Sequence, residues 1–114
     1  MDNFDVVVIG SGPAGYSAAI RALDFGKHVA IIEGNHIGGA GIMHGALTSK
    51  TMYELSKDYA VAARVDRGFR SSALSVDFNE VKKTVIQAAK MKQYQMLSQI
   101  ETFSRLRSKN GSLT

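Results

Sequence analysis

Gly10-Ser11-Gly12-Pro13-Ala14-Gly15 follows the apolar run Phe4-Asp5-Val6-Val7-Val8-Ile9 and opens a helical pattern. Glu33 stands 18 residues past Gly15, at the end of a second apolar run, Val29-Ala30-Ile31-Ile32. Glycines at this spacing between a strand and a helix, with an acid on the next strand, are suited to binding a dinucleotide. Gly10 permits a tight turn out of the strand, Gly12 lets backbone approach a pyrophosphate, and Gly15 lets the helix pack close to the strand. Free N–H groups and the positive dipole end at the helix start hold the anion, so Ser11, Pro13 and Ala14 belong to the same loop site. Glu33 can accept hydrogen bonds from ribose hydroxyls, and its charge disfavours a 2′-phosphate. A glycine turn with no ligand is the competing reading, and the strand–turn–helix–strand–acid context weighs against it.

A second stretch, residues 38–50, reads GGAGIMHGALTSK. Gly38 and Gly39 open it, Gly45 interrupts it, and Ser49-Lys50 closes it. Taken by itself, a lysine here reads as a solvent-facing side chain near a helix start, where it would oppose the helix dipole. His44 could serve as an acid–base group, but nothing in the sequence fixes its geometry, and a loop histidine without a role is the better reading. His28 and His36 show no metal-ligand spacing, so no metal is expected. The chain has no cysteine, which excludes a disulfide framework, a thiolate metal site and thiol redox chemistry.

The elements that must position these residues follow from periodicity. Three consecutive valines in Phe4–Ile9 suit a strand buried on both faces, as in a parallel sheet. From Pro13 to Phe25 a helix is expected, with Ala14, Ala18, Ala22 and Phe25 at helical spacing, Ala19 and Leu23 beside them, and Gly26 as a left-handed stop. A βαβ unit results. Residues 34–47 read as a glycine-rich loop or irregular helix start. A helix from about Ser49 to Val65 would carry Met52, Leu55, Tyr59, Ala62 and Ala63 on one face. Residues 66–77 read as an internal linker. Asp77 could cap a long helix from about Phe78 to Lys109, with an apolar stripe of Val81, Val85, Ala88, Met96, Ile100, Phe103 and Leu106 softened by Met91, Gln95 and Gln99. Asn110-Gly111 is a turn signal, and Ser112-Leu113-Thr114 reads as the start of another strand. Two parallel strands do not make an independently stable sheet, so the reading is of a partial domain spanning 1–114, either a fragment or a chain that needs a complement.

Composition narrows the class further. Hydrophobic residues make up 45% and charged residues 21%, ordinary for a soluble domain. No run approaches the ~20 apolar residues of a membrane span, and the acidic start MDNFDVVVIG lacks a secretory pattern; a cytoplasmic protein is expected. The net charge is +4, concentrated in the second half, where residues 64–114 carry ten Lys/Arg against four Asp/Glu. These basic residues lack the interleaved aromatics of a base-stacking surface, so a solvated helix face is expected and no nucleic acid.

With both stretches in view, the chain resembles the FAD-dependent pyridine nucleotide–disulfide oxidoreductases, which include dihydrolipoamide dehydrogenase, glutathione reductase, mercuric reductase and the soluble transhydrogenases. The resemblance rests on VVVIGSGPAGYSAAIRA, Glu33, Gly38-Gly39, Gly45 and Ser49-Lys50, and is close over about residues 4–60. It implies an α/β fold, an incomplete Rossmann-like FAD-binding domain made of a parallel βαβ unit followed by two helices. It implies FAD as cofactor, with Gly10, Ser11, Gly12 and Gly15 at the pyrophosphate, Glu33 at the adenosine ribose, and Gly38, Gly39 and the stretch from Gly45 to Lys50 beside the flavin. Gly41 and Ala46 stand where this family puts its two redox cysteines, and Thr48 replaces its usual proline. No catalytic residue of the family's dithiol chemistry is therefore present, a trait shared in kind with the soluble transhydrogenases, which pass hydride through flavin alone. The family's second flavin stretch, its NAD(P) domain and its dimerisation domain with a catalytic histidine are not among these 114 residues.

Two functional readings remain. In the first, this is the N-terminal FAD-binding part of a flavoprotein oxidoreductase, with hydride passing from NAD(P)H, bound by a domain not in this chain, through FAD to a non-thiol acceptor; the isolated chain would be inactive. In the second, it is a non-catalytic flavin-fold fragment that binds nucleotide or pairs with a partner chain, as a homodimer or complementing chain. An NAD-binding domain is permitted by the loop but argued against by the GG…SK segment.

Overall fold

A computed structural model describes residues 3–68, 70 and 72–109, with the side chains of residues 104–109 left out. The turn expected at Asn110-Gly111, the strand start after it and the side chain of Leu106 lie outside the described residues. The element order is β1 (Val6–Ile9), α1 (Pro13–Asp24), β2 (Val29–Ile32), α2 (Gly39–Met43), α3 (Ala46–Ala62) and α4 (Phe78–Lys109). β1 and β2 pair in parallel, Val6 opposite Val29 through Ile9 opposite Ile32. The expected α/β βαβ unit is present.

The strands are shorter than the apolar runs. Pairing begins where the Asp5 and Val6 N–H groups donate to the His28 carbonyl (2.8 and 3.2 Å), so Phe4 stays outside the ladder. Burial on both faces is not observed. Val6 and Val8 are half-buried under α1, whereas Val7 is exposed and Ile9 is 84% exposed. One helix covers one face, and the other has no covering element among the described residues.

α1 ends as expected, with Gly26 at φ +71°. Its buried residue is Ala19, with Gly15, Tyr16, Ala22 and Leu23 half-buried around it. Ala14, Ala18 and Phe25 are exposed, because the close approach of the helix to the turn after β1 aims the Gly15–Ala19–Leu23 line at the sheet. Phe25 instead packs its ring under the Arg21 guanidinium at 4.6 Å.

Three helices follow β2, not two. The extra one, α2, is a single short turn within the glycine-rich segment, and α3 starts at Ala46, three residues before the expected Ser49. The early start has a local cause. Gly45 leaves the helical region (φ −145°, ψ −114°) and its carbonyl accepts both the Ser49 N–H (3.0 Å) and the Thr48 hydroxyl (3.0 Å). Met52 and Leu55 are half-buried on α3, whereas Tyr59, Ala62 and Ala63 are exposed because the helix outruns its cover.

α4 runs over the expected residues. Asp77 caps it: its Oδ1 accepts the Asn79 and Glu80 N–H groups at 2.9 and 3.4 Å. Val85, Ala89 and Met96 are buried, with Val81, Ala88, Ile100 and Phe103 half-buried. The stripe therefore packs against α2 and α3, and Met91, Gln95 and Gln99 lie on its exposed side. Asp77→Ala is expected to destabilise the chain by about 1 kcal/mol, read as a lower urea midpoint with an unchanged slope.

Candidate functional site

Gly10 turns the chain out of β1 at φ +88°, a conformation costly for a residue with a Cβ. Its N–H donates to the Ile32 carbonyl at 2.7 Å, which keeps the two strands together up to the turn. Gly12 is the N-cap of α1, with extended backbone and no side-chain cap. The Tyr16 N–H is bonded to the Gly12 carbonyl at 2.9 Å, and the amides of the first turn ahead of it have no intrahelical acceptor. Pro13 is the first helical residue and has no N–H to satisfy. A Cβ built on Gly12 would meet nothing within 4 Å, so the loop is open on that side. Gly15 is the opposite case. A Cβ there would lie 2.1 Å from the Gly10 carbonyl oxygen and 3.2 Å from Val8 Cγ1.

Ser11 joins three parts of the site. It is fully buried. Its N–H donates to Glu33 Oε2 at 2.8 Å and its hydroxyl donates to the same oxygen. The Gly38 N–H donates to the Ser11 carbonyl at 3.0 Å and, more weakly, to its Oγ at 3.3 Å. Glu33 Oε1 accepts the Asn35 N–H at 2.9 Å. The Ser11 hydroxyl, then the Ser11 and Asn35 N–H groups, hold the Glu33 carboxyl at a pKa of about 2, well below its ordinary 4.5. The acid thus stays ionised and is aimed by its own neighbours.

The Gly38-Gly39 turn lies against the loop. Both residues have positive φ, +91° and +58°. A Cβ on Gly38 would collide with Ile42 Cγ1 at 2.4 Å, and one on Gly39 would stand 3.2 Å from Gly12 Cα. Gly41 sits beside Pro13, where its Cβ would meet the ring Cγ at 3.3 Å. Gly45 and Ala46 are the N-cap and first residue of α3. The structure therefore gathers Gly10–Gly15, Glu33, Gly38, Gly39 and Gly41. Ser49 and Lys50 are exposed further along α3, and Ser49 borders a shallow groove with Met52, Tyr53 and Val85. His44 is the exposed C-cap of α2. His28 is a pin for the chain start, its Nδ1 2.5 Å from the Asn3 carbonyl and its ring 4.7 Å from that of Phe4. No group of three or more potential metal ligands occurs among the described residues.

A cleft of about 570 Å³ opens from Ser11 and Glu33. Asn35 and His36 border its polar end, and Ile31 of β2 and Leu97 and Ile100 of α4 form its apolar walls. The apolar stripe of α4 reads from its spacing as a packing face in preference to a cofactor or partner groove, and its part in this cleft is visible only in the structure. The available signal was a pair of glutamines, Gln93 and Gln99, flanking the apolar stripe at Met96. Gln93 Nε2 donates to the Ile37 carbonyl at 3.0 Å, and the Tyr16 hydroxyl donates to Gln99 Oε1 at 2.7 Å.

Comparison with known proteins gives a consistent picture. The sequence matches the pyridine nucleotide-disulphide oxidoreductase family over residues 4–109. It is 45% identical over 64 residues to dihydrolipoyl dehydrogenase 3 of Pseudomonas aeruginosa, covering 55% of this chain and 14% of that protein. It is 40% identical over 94 residues to dihydrolipoyl dehydrogenase 3 of Pseudomonas putida, covering 82% of this chain and 19% of that protein. Among solved structures, LpdA from Mycobacterium tuberculosis superposes with a TM-score of 0.73 at 22% identity, covering 86% of this chain and 22% of that one. The chain thus spans less than a fifth of the length of these two curated relatives. The superposition supports the Rossmann-like fold.

Proposed function

The chain belongs to the pyridine nucleotide-disulphide oxidoreductase family, and from that premise we propose that it is the FAD-binding first part of a flavoprotein oxidoreductase that works without disulfide chemistry. Hydride would pass from NAD(P)H through FAD to a non-thiol acceptor. The observation that carries the reading is the joint built at Ser11: a fully buried residue ties an ionised acid and a double-glycine turn to a loop whose helix start has no side-chain cap.

The residues present fit a dinucleotide. The loop is open at Gly12, and no side chain caps the start of α1, so the first-turn amides around Ala14 and Gly15 would donate to a pyrophosphate. Gly10, Ser11 and Pro13 shape that loop. Glu33 keeps acceptor capacity for ribose hydroxyls beyond the bonds from Ser11 and Asn35. Gly38 and Gly39 hold backbone close to Gly12 where no side chain fits, and Gly45, Ser49 and Lys50 would line the path toward the ring. FAD supplies hydride transfer when bound; the chain supplies binding and orientation.

Gly41 and Ala46 cannot form a thiolate or a mixed disulfide, which is why the acceptor is placed outside thiol chemistry. NAD(P)H would be met by groups these residues do not supply, so the 114-residue chain, read as one partial domain with 66–77 as its linker, is expected to be inactive alone. The exposed Val7 and Ile9 face favours a second reading, a non-catalytic module that binds nucleotide or a partner chain.

The test is the absorption spectrum of the purified chain after incubation with excess FAD, with chromatography of whatever is released on denaturation. Bound FAD is expected, and its loss in Gly12→Glu. No flavin in the wild type overturns the proposal. NAD(P)H oxidation by the chain with FAD, absent in Gly12→Glu, would overturn the expected inactivity.

A further inference from the structure

We propose that Gln93 is a positioning residue of the nucleotide site, which acts by donating a hydrogen bond to the Ile37 carbonyl and so holds the double-glycine turn against the glycine loop; the inference rests on the FAD-binding reading above. Gln93 and Ile37 are both half-buried, and Nε2 reaches the carbonyl at 3.0 Å across 56 residues of sequence. The peptide after that carbonyl carries the Gly38 N–H, which closes on the carbonyl and Oγ of Ser11. Ser11 in turn holds Glu33. One side-chain amide on α4 is thus three hydrogen bonds from the acid and one peptide from the turn.

The contact is directional. Ile37 O needs a donor, and an amide supplies one where a carboxylate of the same shape supplies only acceptors. Two further residues of α4 reach this region, Met96 at the turn itself and Gln99 at α1. Met96 Sδ lies 3.4 Å from where a Gly38 Cβ would be, and Gln99 takes the hydroxyl of Tyr16, on the helix that follows the loop. Gly38, at φ +91°, has no side chain of its own with which to hold its conformation, so the restraint comes from outside the turn.

The experiment compares Gln93→Glu, isosteric but without the donor, with Gln93→Lys, which keeps a donor, in the 114-residue chain. Amide hydrogen exchange is read at Gly38 and Gly39 without ligand, and FAD affinity by flavin fluorescence. Gln93→Glu is expected to speed exchange of the Gly38 amide about tenfold and weaken FAD binding by a similar factor, with the amides of α1 beyond Tyr16 unchanged; Gln93→Lys is expected to restore slow exchange. Equal exchange in Gln93→Glu and wild type, or a uniform rise along the whole chain, overturns the positioning role. Local exchange rising while the wild type binds no FAD upholds the role of Gln93 in the turn and fails the FAD-binding reading instead.

Discussion

Gly15→Ala is expected to unfold the loop–helix joint and abolish nucleotide binding with a single methyl group. The added Cβ would lie 2.1 Å from the Gly10 carbonyl oxygen and 3.1 Å from its carbon, both backbone atoms. Neither can swing aside as a flexible side chain would. The peptide that carries this carbonyl is held by the Ser11 N–H bond to Glu33 Oε2, and the one before it by the Gly10 N–H bond to Ile32 O, so α1 must lift away from the strand. Lifting it uncovers Ala19, Val8 and Leu23, part of a small core. Overpacking of this kind costs about 3 kcal/mol, large against the stability of a small domain. A thermal melt of the variant should show a broad, low transition and FAD titration should show no saturation. Gly12→Ala is the informative contrast, because a Cβ there meets nothing. It should melt like the wild type and lose only affinity, since its methyl group enters the space a pyrophosphate would use.

Glu33→Gln should lower FAD affinity by about tenfold or more while leaving the fold in place near neutral pH. Both carboxylate oxygens are in use: Oε2 accepts from Ser11 and Oε1 from Asn35. An amide turns one of them into a donor that faces another donor, so the side chain rotates out of register with the ribose position. The acid dependence of stability has a definite sign. The native carboxyl, at about 2, lies below its ordinary 4.5, so its contribution is fully present above the ordinary value and is lost as the pH falls through the native one. Urea midpoints of wild type and Glu33→Gln should differ by a constant amount above about pH 5 and converge as the pH is taken down toward about 2. Parallel midpoints across that window would mean that Ser11 does not hold the acid.

Much of the site was legible along the chain because its determinants are local. The turn at Gly10, the proline start and Gly26 stop of α1, and the Asp77 cap of α4 depend on backbone conformations and N–H groups within a few residues of each other. The lack of any cysteine is a matter of composition, and no folding can supply a thiol. Other features depend on contacts that no spacing encodes. The apolar run of β1 reads as buried on both sides, yet Val7 and Ile9 face outward because burial depends on which elements cover the sheet. On α1 the buried face takes Ala19, Ala22 and Leu23 of the expected residues and leaves Ala14, Ala18 and Phe25 exposed, since the close approach at Gly15 sets the helix rotation. The segment that holds α2 reads as a loop or an irregular helix start because a five-residue turn carries no periodicity. The part played by α4 was hidden for the same reason: Gln93 reaches Ile37 across 56 residues and Tyr16 reaches Gln99 across 83. The residue types thus decided what can bind and what chemistry is closed to it, whereas tertiary packing decided which groups hold the acid and the double-glycine turn in place, because those bonds join segments that meet only once the chain has folded.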